Sequence, residues 1–511
     1  MSSISRKFSS TARALLQFIW KGTEPIPKYE DTVISKVKKN TKLTGADRIE
    51  IAGGEHDSVA DPKLRVSALV ELLDRSKKTM PRPMDLILRP LKALRYQPWP
   101  HPSAIAPLID PSQLVEEENS PFYNSAYFYP ARLGEVLNDR YQIVTKLGHG
   151  SRATVWLARD LHQWRFLRER YVAVKVNSNN NHTRKATGDD EVEILRHISK
   201  NNPRHEGWHF VRKLRDSFPA QGVSGSHACL VFEPLRESLG RYCKRWQDGV
   251  MPSEVFKVVL QMVLQAVDYL HSECHVIHTD LKPDNIMMKL EDNELLDRDA
   301  RDEFFENPLP QKQSEDGRTI YLSRRNYGAP KSIYAIVEIT DFDLSVRGDG
   351  PYQHSGCIQA EVYRAPEVIV DAGFTYSADI WSLGVMLWDF LEGRTLFEPV
   401  DPHKVAEYDD EKHLAYITAL LGPAPKDLLD GGKRTSMFYS PDESTISGTL
   451  KNKDLIPEDF TFEGTLSHIG GEEKRRFINF VRRMVKWKPE ERSTAKELLS
   501  DPWLHEDFPQ E

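Results

Sequence analysis

One short polar segment, residues 278–285, constrains this 511-residue chain more than any other. It reads His-Thr-Asp-Leu-Lys-Pro-Asp-Asn and stands between an apolar helix pattern and a short apolar strand pattern. Asp280 is placed to orient an attacking hydroxyl and accept its proton, Lys282 to offset charge on a moving phosphoryl group, and Asn285 to hold a magnesium ion through its amide oxygen. A polar loop after a helix needs no such ordered set, so the segment indicates phosphoryl transfer.

An earlier run predicts the phosphate-facing edge of a nucleotide pocket. Residues 141–147 are interpreted as a strand and residues 155–158 as a second strand, and the turn between them carries Gly148 and Gly150. Glycine lets the backbone lie close over phosphates with its N–H groups free to donate. An ordinary hairpin turn would show the same two glycines, so the turn indicates a nucleotide site only together with the lysine of the next strand.

A single lysine lies in the third predicted strand, residues 171–176, among apolar neighbours. A buried lysine requires a partner. We expect Lys175 to reach the α- and β-phosphates of a nucleotide and to pair with Glu191, which opens a helix pattern. Glu193 is the alternative partner if the helix register is shifted by two residues. An edge-strand lysine is the other interpretation, and the spacing from the glycine turn disfavours it.

The strand at residues 229–235 is interpreted as the connection between a small sheet lobe and a larger helical lobe. Backbone groups of Glu233 to Leu235 are placed to pair with an adenine edge. Phe232 would close the pocket behind the base, although plain core packing explains this residue equally well. Residues 255–270 carry apolar side chains at steps of three and one, which predicts the helix that leads to the polar segment.

Residues 290–332 are polar, acid-rich and uneven, and we interpret them as an insertion that protrudes from the catalytic lobe. A strand at residues 335–340 follows. Asp341 at its end would chelate magnesium, because hard cations take carboxylate oxygens.

Three later residues are assigned structural roles. Glu367 and Arg492 are expected to form a buried ion pair that braces the large lobe, and Asp379 is expected to hold the backbone of the polar segment. Their loss should destabilise the lobe rather than remove a chemical group.

The first part of the chain, residues 1–120, is predicted to be mostly extended and flexible, with order beginning near residue 122. Eight prolines between residues 81 and 111 disfavour regular structure there. The segment before the first acidic residue, Glu24, is basic, serine-rich and amphipathic, which is typical of a mitochondrial transit peptide. A frayed basic tail is the alternative, and the proline-rich part is either a docking segment for an SH3-like partner or a plain spacer.

Composition disfavours several classes of protein. A formal net charge of −7 argues against non-specific nucleic-acid binding and favours a basic partner. The four cysteines are scattered without metal-type spacing, which fits a reducing compartment and no disulfide framework. No apolar run is long enough to span a bilayer.

Taken in order, these motifs resemble the eukaryotic protein kinase superfamily over roughly residues 141–504. The residues that carry the resemblance are Lys175, Glu191, Asp280, Lys282, Asn285 and Asp341. Within the superfamily the chain resembles the serine/arginine-protein kinases of the CMGC group. The features behind this closer resemblance are Thr279 in place of the usual arginine, Ile-Gln at 358–359, Leu-Phe-Glu-Pro at 396–399, Ala-Tyr-Ile at 415–417 before Leu-Leu-Gly at 420–422, and the position of the insertion.

The resemblance implies an α+β, bilobal protein kinase fold behind a flexible N-terminal extension. Residues 121–235 would form a small β-rich N-lobe with its lead-in, and residues 236–505 a larger helical C-lobe. ATP and Mg²⁺ are the implied cofactors, with Asp280 and Lys282 catalytic and with Asn285 and Asp341 binding the metal. The nucleotide would contact Leu147, Gly148, Gly150, Val155, Ala173, Lys175, Glu191, Glu233 and Leu235.

The resemblance also implies a serine/threonine protein kinase that phosphorylates serine in basic, Arg-Ser-rich splicing factors. Such a protein is expected to be a monomer without direct nucleic-acid binding, in the cytoplasm and nucleus. The basic start keeps the mitochondrion as an alternative localisation. Asp409, Asp410 and Glu411 lie where the family carries an acidic run near the substrate groove, and they are predicted to dock substrate although Lys412 interrupts the run.

Two departures from the family pattern concern the nucleotide pocket. Ala153 replaces the third glycine of the glycine-rich loop, and Asp343 replaces the glycine that follows Asp341-Phe342. A pseudokinase that binds partners without catalysis is therefore the alternative function, and the retained catalytic side chains favour an active kinase.

The activation segment, residues 341–367, is expected to be ordered without phosphorylation. Many kinases use an arginine before the catalytic aspartate to bind a phosphate on this segment, and here the position is Thr279. Arg364 is expected to bind local carbonyl groups or Gln359 instead. The alternative is that Arg364 merely packs and that Ser355 is a phosphorylated switch.

Overall fold

The computed structural model describes residues 94–121, 123–179, 188–325, 327–331, 335–350, 354–405, 407–440 and 448–510. The transit-peptide interpretation and most of the predicted N-terminal extension lie outside these residues. Residues 96–511 belong to one compact unit, which holds the elements of the fold.

A six-stranded antiparallel sheet forms the N-lobe, with strand order β1-β2-β3-β4-β6-β5. Its strands are β1 (Val136–Leu137), β2 (Tyr141–His149), β3 (Ala153–Asp160), β4 (Tyr171–Asn177), β5 (Asp216–Gly222) and β6 (Gly225–Phe232). Helix α1 (Gly188–Lys200) connects β4 to β5 in the sequence. Alternating apolar residues of the central strands, such as Ile143, Trp156 and Val174, are buried in one core on one face of the sheet.

The C-lobe is mainly helical and carries short strands at the cleft. Its strands are β7 (Leu235–Ser238), β8 (Val276–Ile277), β9 (Ile286–Lys289), β10 (Gln311–Gln313), β11 (Thr319–Tyr321), β12 (Val337–Ile339), β13 (Val346–Arg347), β14 (Tyr439–Ser440) and β15 (Thr449–Leu450). Strands β12, β9 and β7 form one antiparallel sheet, and β8 pairs with β13. These pairings bring the predicted catalytic segment beside the predicted metal-binding aspartate.

The helices after β6 belong to the C-lobe, except the third of them, which lies in the insertion. They are α2 (Leu239–Cys243), α3 (Ser253–Asp268), α4 (Glu294–Arg301), α5 (Pro366–Ile369), α6 (Ser377–Leu391), α7 (Asp410–Leu421), α8 (Lys426–Gly431), α9 (Thr435–Phe438), α10 (Gly471–Val481) and α11 (Ala495–Leu498). Helix α3 begins at Ser253, as its apolar periodicity predicts, and α6 is buried on almost all sides, as an all-apolar helix must be. None of the described helices is long and apolar enough to cross a membrane.

The insertion differs from the prediction because it folds onto the N-lobe instead of protruding from the C-lobe. On α4 and the turn that follows it, Leu296, Ala300 and Phe304 share one face at steps of four residues, and they pack against Val144 and Leu157 of the sheet. The Tyr171 hydroxyl donates to Asp297 Oδ1 at 2.9 Å. The apolar residues of the segment therefore cover the sheet, and most of its polar residues lie on its outer face.

Ordered structure begins well before residue 122, which differs from the flexible segment predicted up to residue 120. Trp99 packs edge-on against Phe304, and the Arg159 guanidinium lies 4.1 Å from the centroid of the Trp99 ring. Trp99 N donates to the side-chain oxygen of the fully buried Gln142 at 2.8 Å, and Gln142 Nε2 donates back to the Trp99 carbonyl at 2.9 Å. Proline-rich chain without regular structure is thus held by side-chain hydrogen bonds.

Candidate active site

A cavity of about 320 Å³ lies between the N-lobe sheet and the C-lobe. Every residue predicted to contact the nucleotide lines it, with the exception of Glu233, while Ala173 and Leu235 supply buried apolar walls. The Glu233 side chain turns away to an ion pair with Arg215 at 2.5 Å, so only its backbone remains for an adenine edge. The cavity also contains Phe232, the predicted rear wall.

The glycine turn forms the roof of the cavity. A Cβ atom added to Gly148 or Gly150 would meet no other atom within 4 Å, so a side chain at either position would occupy open space at the roof. The Gly150 N–H donates to the Ala153 carbonyl at 2.8 Å and closes the turn. Ala153 is 5% exposed and lines the cavity, so the third position of the glycine loop carries a buried methyl group.

Lys175 links the two lobes through two carboxylates. Its Nζ lies 2.8 Å from Glu191 Oε1 and 2.8 Å from Asp341 Oδ1, so the predicted register of α1 with Glu191 holds and Glu193 is not the partner. Burial acts to lower the pKa of Lys175, but the charges of Asp341 and Glu191 outweigh it and raise that pKa. The Lys175 charge in turn lowers the pKa of Asp341. Both groups are therefore ionised at neutral pH.

The predicted catalytic residues converge in the loop after β8. Asp280 Oδ2 accepts from Lys282 Nζ at 2.6 Å and from Asn285 Nδ2 at 3.0 Å, and Asn285 Nδ2 also donates to the Asp280 carbonyl at 2.8 Å. These bonds commit the amide nitrogen of Asn285 and leave its oxygen for another ligand. Asn285 Oδ1 and the Asp341 carboxylate are hard oxygen donors, which suits a divalent cation such as Mg²⁺.

The residues predicted to brace the C-lobe form the expected contacts. Arg492 forms a bidentate pair with Glu367, at 2.6 and 2.7 Å, and both side chains are buried. Asp379 accepts from the backbone N–H groups of His278 and Thr279 at 2.8 and 2.9 Å. A buried carboxylate thus fixes the backbone immediately before Asp280.

Asp343 lines the cavity with its carboxylate among other acidic groups. Burial, followed by the neighbouring charge of Asp341, raises the pKa of Asp343 to about 6. Phe342 beside it is 1% exposed, and its ring centroid lies 5.0 Å from that of His278. The aspartate in the glycine position therefore leaves Phe342 packed, while it adds a carboxylate to the phosphate end of the cavity.

Among the cavity residues absent from the sequence-based predictions, three come from positions that no motif indicates. Arg212 stacks over the Phe232 ring at 4.8 Å, and burial lowers its pKa to about 10. Tyr327, from the end of the insertion, lines the cavity beside Arg236, whose Nη2 donates to the Gly328 carbonyl at 2.6 Å. No local pattern marks these residues, because the contacts that bring them to the cavity span 90 or more residues or join separate lobes.

The predicted docking cluster is mostly committed to internal contacts. Asp409 caps helix α7 by accepting from the Glu411 and Lys412 N–H groups at 2.8 and 3.2 Å. Asp410 is half-buried and pairs with Arg434 at 2.7 Å and with Arg364 at 3.4 Å. Of the predicted cluster, only the Glu411 side chain has neither a hydrogen bond nor an ion pair with a residue that the structure describes. Asp409 and Asp410 therefore have partners within the lobe, and Glu411 is the member of the cluster most available to a substrate; that the cluster docks substrate stays a prediction.

A different acidic group contacts the activation segment at Tyr363. The Tyr363 hydroxyl donates to Asp389 Oδ1 at 3.1 Å, while Asp389 Oδ2 is buried and has no hydrogen-bond partner among the described residues. Burial is the main cause that raises the pKa of Asp389 to about 7, and the charges of Asp401 and Asp284 add to the shift. Within the described chain none of these three carboxylates forms an ion pair, and Asp284 also lines the nucleotide cavity.

The activation segment is held by protein groups. Gln359 donates to the Ala378 carbonyl and the Ser382 hydroxyl at 2.9 and 2.8 Å and accepts from the Ala365 N–H at 2.9 Å. Arg364 Nε lies 3.4 Å from the Ile358 carbonyl, as expected for a local carbonyl partner, and its other partner is Asp410 rather than Gln359.

Thr279 contributes to the same order from the catalytic loop. Its hydroxyl donates to the Leu344 carbonyl at 2.8 Å, and its carbonyl accepts from the Gln359 N–H at 2.9 Å. Its φ of 68° is rare for a β-branched residue and is stabilised by these contacts.

Comparisons with known proteins agree with this geometry. The family model described as "Protein kinase domain" matches residues 141–504. A serine/threonine protein kinase of Aspergillus fumigatus is 37% identical over 78% of this chain and 93% of its own length. The serine/threonine-protein kinase SRPK of Physarum polycephalum is 30% identical over 76% of this chain and 91% of its own length. A crystallised kinase domain has a TM-score of 0.54 and 24% identity, covering 75% of this chain and all of that domain, and it supports the fold.

Proposed function

The chain belongs to the protein kinase family as a serine/threonine kinase of the SR-protein kinase type, and from this we propose that it transfers the γ-phosphate of ATP, with Mg²⁺, to serine in basic, Arg-Ser-rich proteins. Kinases of this family use ATP and a divalent cation. The choice of Mg²⁺ and of basic substrates rests on the residues of this chain. Regulation of splicing factors is the role that such substrates imply.

The side chains divide the proposed reaction among them. Asp280 orients the serine hydroxyl and accepts its proton, while Lys282, which contacts Asp280 at 2.6 Å, offsets charge on the phosphoryl group as it moves. Lys175 holds the α- and β-phosphates against the glycine turn. Asn285 and Asp341 would hold the cation, which neutralises phosphate charge when it is bound. Catalysis then consists mainly of positioning and electrostatic stabilisation.

The observation that carries the substrate proposal is the unpaired acidic group formed by Asp284, Asp389 and Asp401. A buried carboxylate oxygen without a partner is costly, and a guanidinium supplies both the missing hydrogen bonds and the missing charge. This group neighbours the catalytic loop through Asp284 and the activation segment through Tyr363. It supports an arginine close to the phosphorylated serine.

The experiment compares three serine peptides that differ only in their flanking residues, with arginine, lysine or glutamate. The purified chain is assayed for transfer of labelled phosphate from ATP with Mg²⁺. We expect the arginine peptide to have the lowest KM, and that KM to rise with ionic strength because charge attraction is screened over about 8 Å in physiological salt. Asp389→Asn should raise this KM about tenfold, whereas the same chemical change at the helix cap, Asp409→Asn, should not. A salt-independent KM, or a preference for the acidic peptide, rules out the substrate proposal.

A scaffold without catalysis is the alternative, and Asp343 is the observation that favours it. The first step of the test is nucleotide binding with and without Mg²⁺, and the second is phosphate transfer. Binding without transfer to any of the three peptides would favour the scaffold. Transfer that requires Asp280 establishes an active kinase.

The remaining parts of the proposal concern location and assembly. We place the protein in the cytoplasm and nucleus as a monomer that does not bind nucleic acid directly. The basic N-terminal segment keeps the mitochondrion as the alternative. Imaging of a C-terminally tagged full chain distinguishes the two locations, and light scattering measures the mass.

A further inference from the structure

Two segments far apart in the sequence form one layer beside the glycine turn. We call residues 107–121 the strap and residues 311–325 the hairpin. The Gln311 N–H donates to the Pro107 carbonyl at 2.9 Å, and the Gln311 carbonyl accepts from the Ile109 N–H at 2.9 Å. Strap and hairpin therefore share backbone hydrogen bonds and form a single support.

The support holds the strand that leads into the glycine turn. Lys146, 1% exposed near the end of β2, places its ammonium against the Glu117 carboxylate of the strap. The same ammonium donates to the Tyr321 carbonyl of the hairpin at 3.1 Å, and the Lys146 carbonyl accepts from the Arg324 N–H at 2.9 Å. A buried charge bound in this way fixes the base of the turn.

The support also reaches the turn itself. His149 stands between the two glycines, and its Nε2 lies 3.4 Å from Glu116 Oε2. The hairpin fixes the Glu116 carboxylate, because the N–H of Ser323 donates to Glu116 Oε1 at 3.1 Å and the Ser323 hydroxyl donates to Oε2. Glu116 has a φ of 55°, a strained conformation for a residue with a side chain, which its surroundings must stabilise.

We propose that Glu116 is a positioning residue for the kinase reaction. Held by the hairpin, it holds His149 and so keeps the glycine turn over the nucleotide phosphates. The inference depends on the proposed function only in requiring that the cavity binds ATP. The strap thereby becomes part of the nucleotide-binding apparatus, although it precedes the residues matched by the family model.

Electrostatics and positioning predict opposite effects of removing the Glu116 charge. Glu116→Gln deletes a negative charge near the phosphate end of the cavity, which by Coulomb attraction alone should strengthen ATP binding. If Glu116 acts by holding the turn, the same substitution should weaken ATP binding. The sign of the change therefore separates the two effects.

The test uses the full chain and measures the Kd of a non-hydrolysable ATP analogue with Mg²⁺, together with KM for ATP and kcat. We expect Glu116→Gln to raise Kd and KM about three- to tenfold, with kcat at saturating ATP changed less than twofold. His149→Ala removes the same contact from the other side and should raise Kd similarly. Glu116 Oε2 also lies 3.5 Å from Lys146 Nζ and 3.8 Å from Arg325 Nη2, contacts that His149→Ala leaves in place. The double variant should bind ATP no more weakly than Glu116→Gln alone, because His149 is held through its contact with Glu116.

Glu118→Gln is the matched control. Glu118 lies in the same turn of the strap and pairs with Lys312 of the hairpin at 2.8 Å, away from the glycine turn. Its substitution should leave Kd unchanged. Unchanged or tighter binding by Glu116→Gln, or equal weakening by Glu118→Gln, overturns the proposal. If Glu116→Gln is unstable, the His149→Ala variant decides by the same criterion, and a wild-type chain that binds no ATP refutes the proposed function instead.

Discussion

Replacing Asp410 by asparagine should disorder the activation segment while it leaves the nucleotide site intact. Arg364 is a buried residue, with its Nη1 3.4 Å from Asp410 Oδ1 and its guanidinium carbon 5.0 Å from the Tyr408 ring centroid. Asp410 thus supplies a protein carboxylate as the partner of this arginine of the activation segment. Asparagine keeps the size of the side chain and removes that charge.

The magnitude follows from the burial of the pair. Two unit charges about 4 Å apart interact by about 4 kcal/mol at an effective dielectric constant of 20, before desolvation is subtracted. The side chains of Arg364 and Asp410 are 11% and 18% exposed, so the net value is closer to that of a charged hydrogen bond, about 1.5–3 kcal/mol. A loss of about 2 kcal/mol changes the balance between ordered and disordered segment by about 30-fold. KM for a basic peptide should rise by roughly tenfold or more, while Kd for ATP stays the same.

The assay uses protein purified from bacteria and treated with phosphatase. Wild type and Ser355→Ala should retain their activity. Asp410→Asn should show the roughly tenfold or larger rise in KM for a basic peptide. Asp409→Asn makes the same chemical change one residue earlier, where asparagine is an equally good helix cap, and it should behave as wild type. The reasoning fails if phosphatase abolishes wild-type activity and an upstream kinase restores it, or if Asp410→Asn matches Asp409→Asn.

Three further predictions concern the chemistry and its pH dependence. Asp280→Asn should lower kcat by a factor on the order of 10² or more with the fold intact, since the group that orients the hydroxyl and accepts its proton is lost; circular dichroism and phosphate transfer measure the two. Asp341→Asn should lose the Mg²⁺-dependent part of ATP binding, measured by titration calorimetry. Because the pKa of Asp389 is raised to about 7, KM for an arginine peptide should rise from pH 8 to pH 6 as the carboxylate gains a proton, and Asp389→Asn should flatten this dependence. The folded-state pKa lies above the unfolded value, so the stability contributed by protonated Asp389 is present at low pH and lost as pH rises through about 7, which thermal unfolding at pH 5 and pH 8 measures.

The sequence predicts well those parts of the site that one chain segment or one physical requirement determines. A lysine in an apolar strand requires a carboxylate, and the structure places Glu191 at 2.8 Å. The ion pairs of Asp410 are not predicted from the sequence, for the opposite reason. An acidic side chain at the start of a helix looks available in the sequence, and only the fold shows that Arg364 and Arg434 approach it from two other segments. Charge alone therefore does not distinguish a substrate contact from an internal ion pair.

Two predictions differ from the structure for one physical reason. They are that order begins near residue 122 and that the insertion protrudes from the catalytic lobe. Sequence patterns indicate hydrogen bonds made within a helix or a hairpin. The strap and the hairpin are joined across about 200 residues by two backbone hydrogen bonds and by side-chain bonds such as that of the Ser323 N–H to Glu116. Each segment alone lacks periodicity and looks like a polar loop. Together they bury Lys146 and fix Glu116, so the least regular parts of the chain lie against the glycine turn. Segments without regular structure can still be fixed in place when distant parts of the chain pair their polar groups. The strap precedes the kinase motifs, and for this reason it nevertheless belongs to the kinase unit.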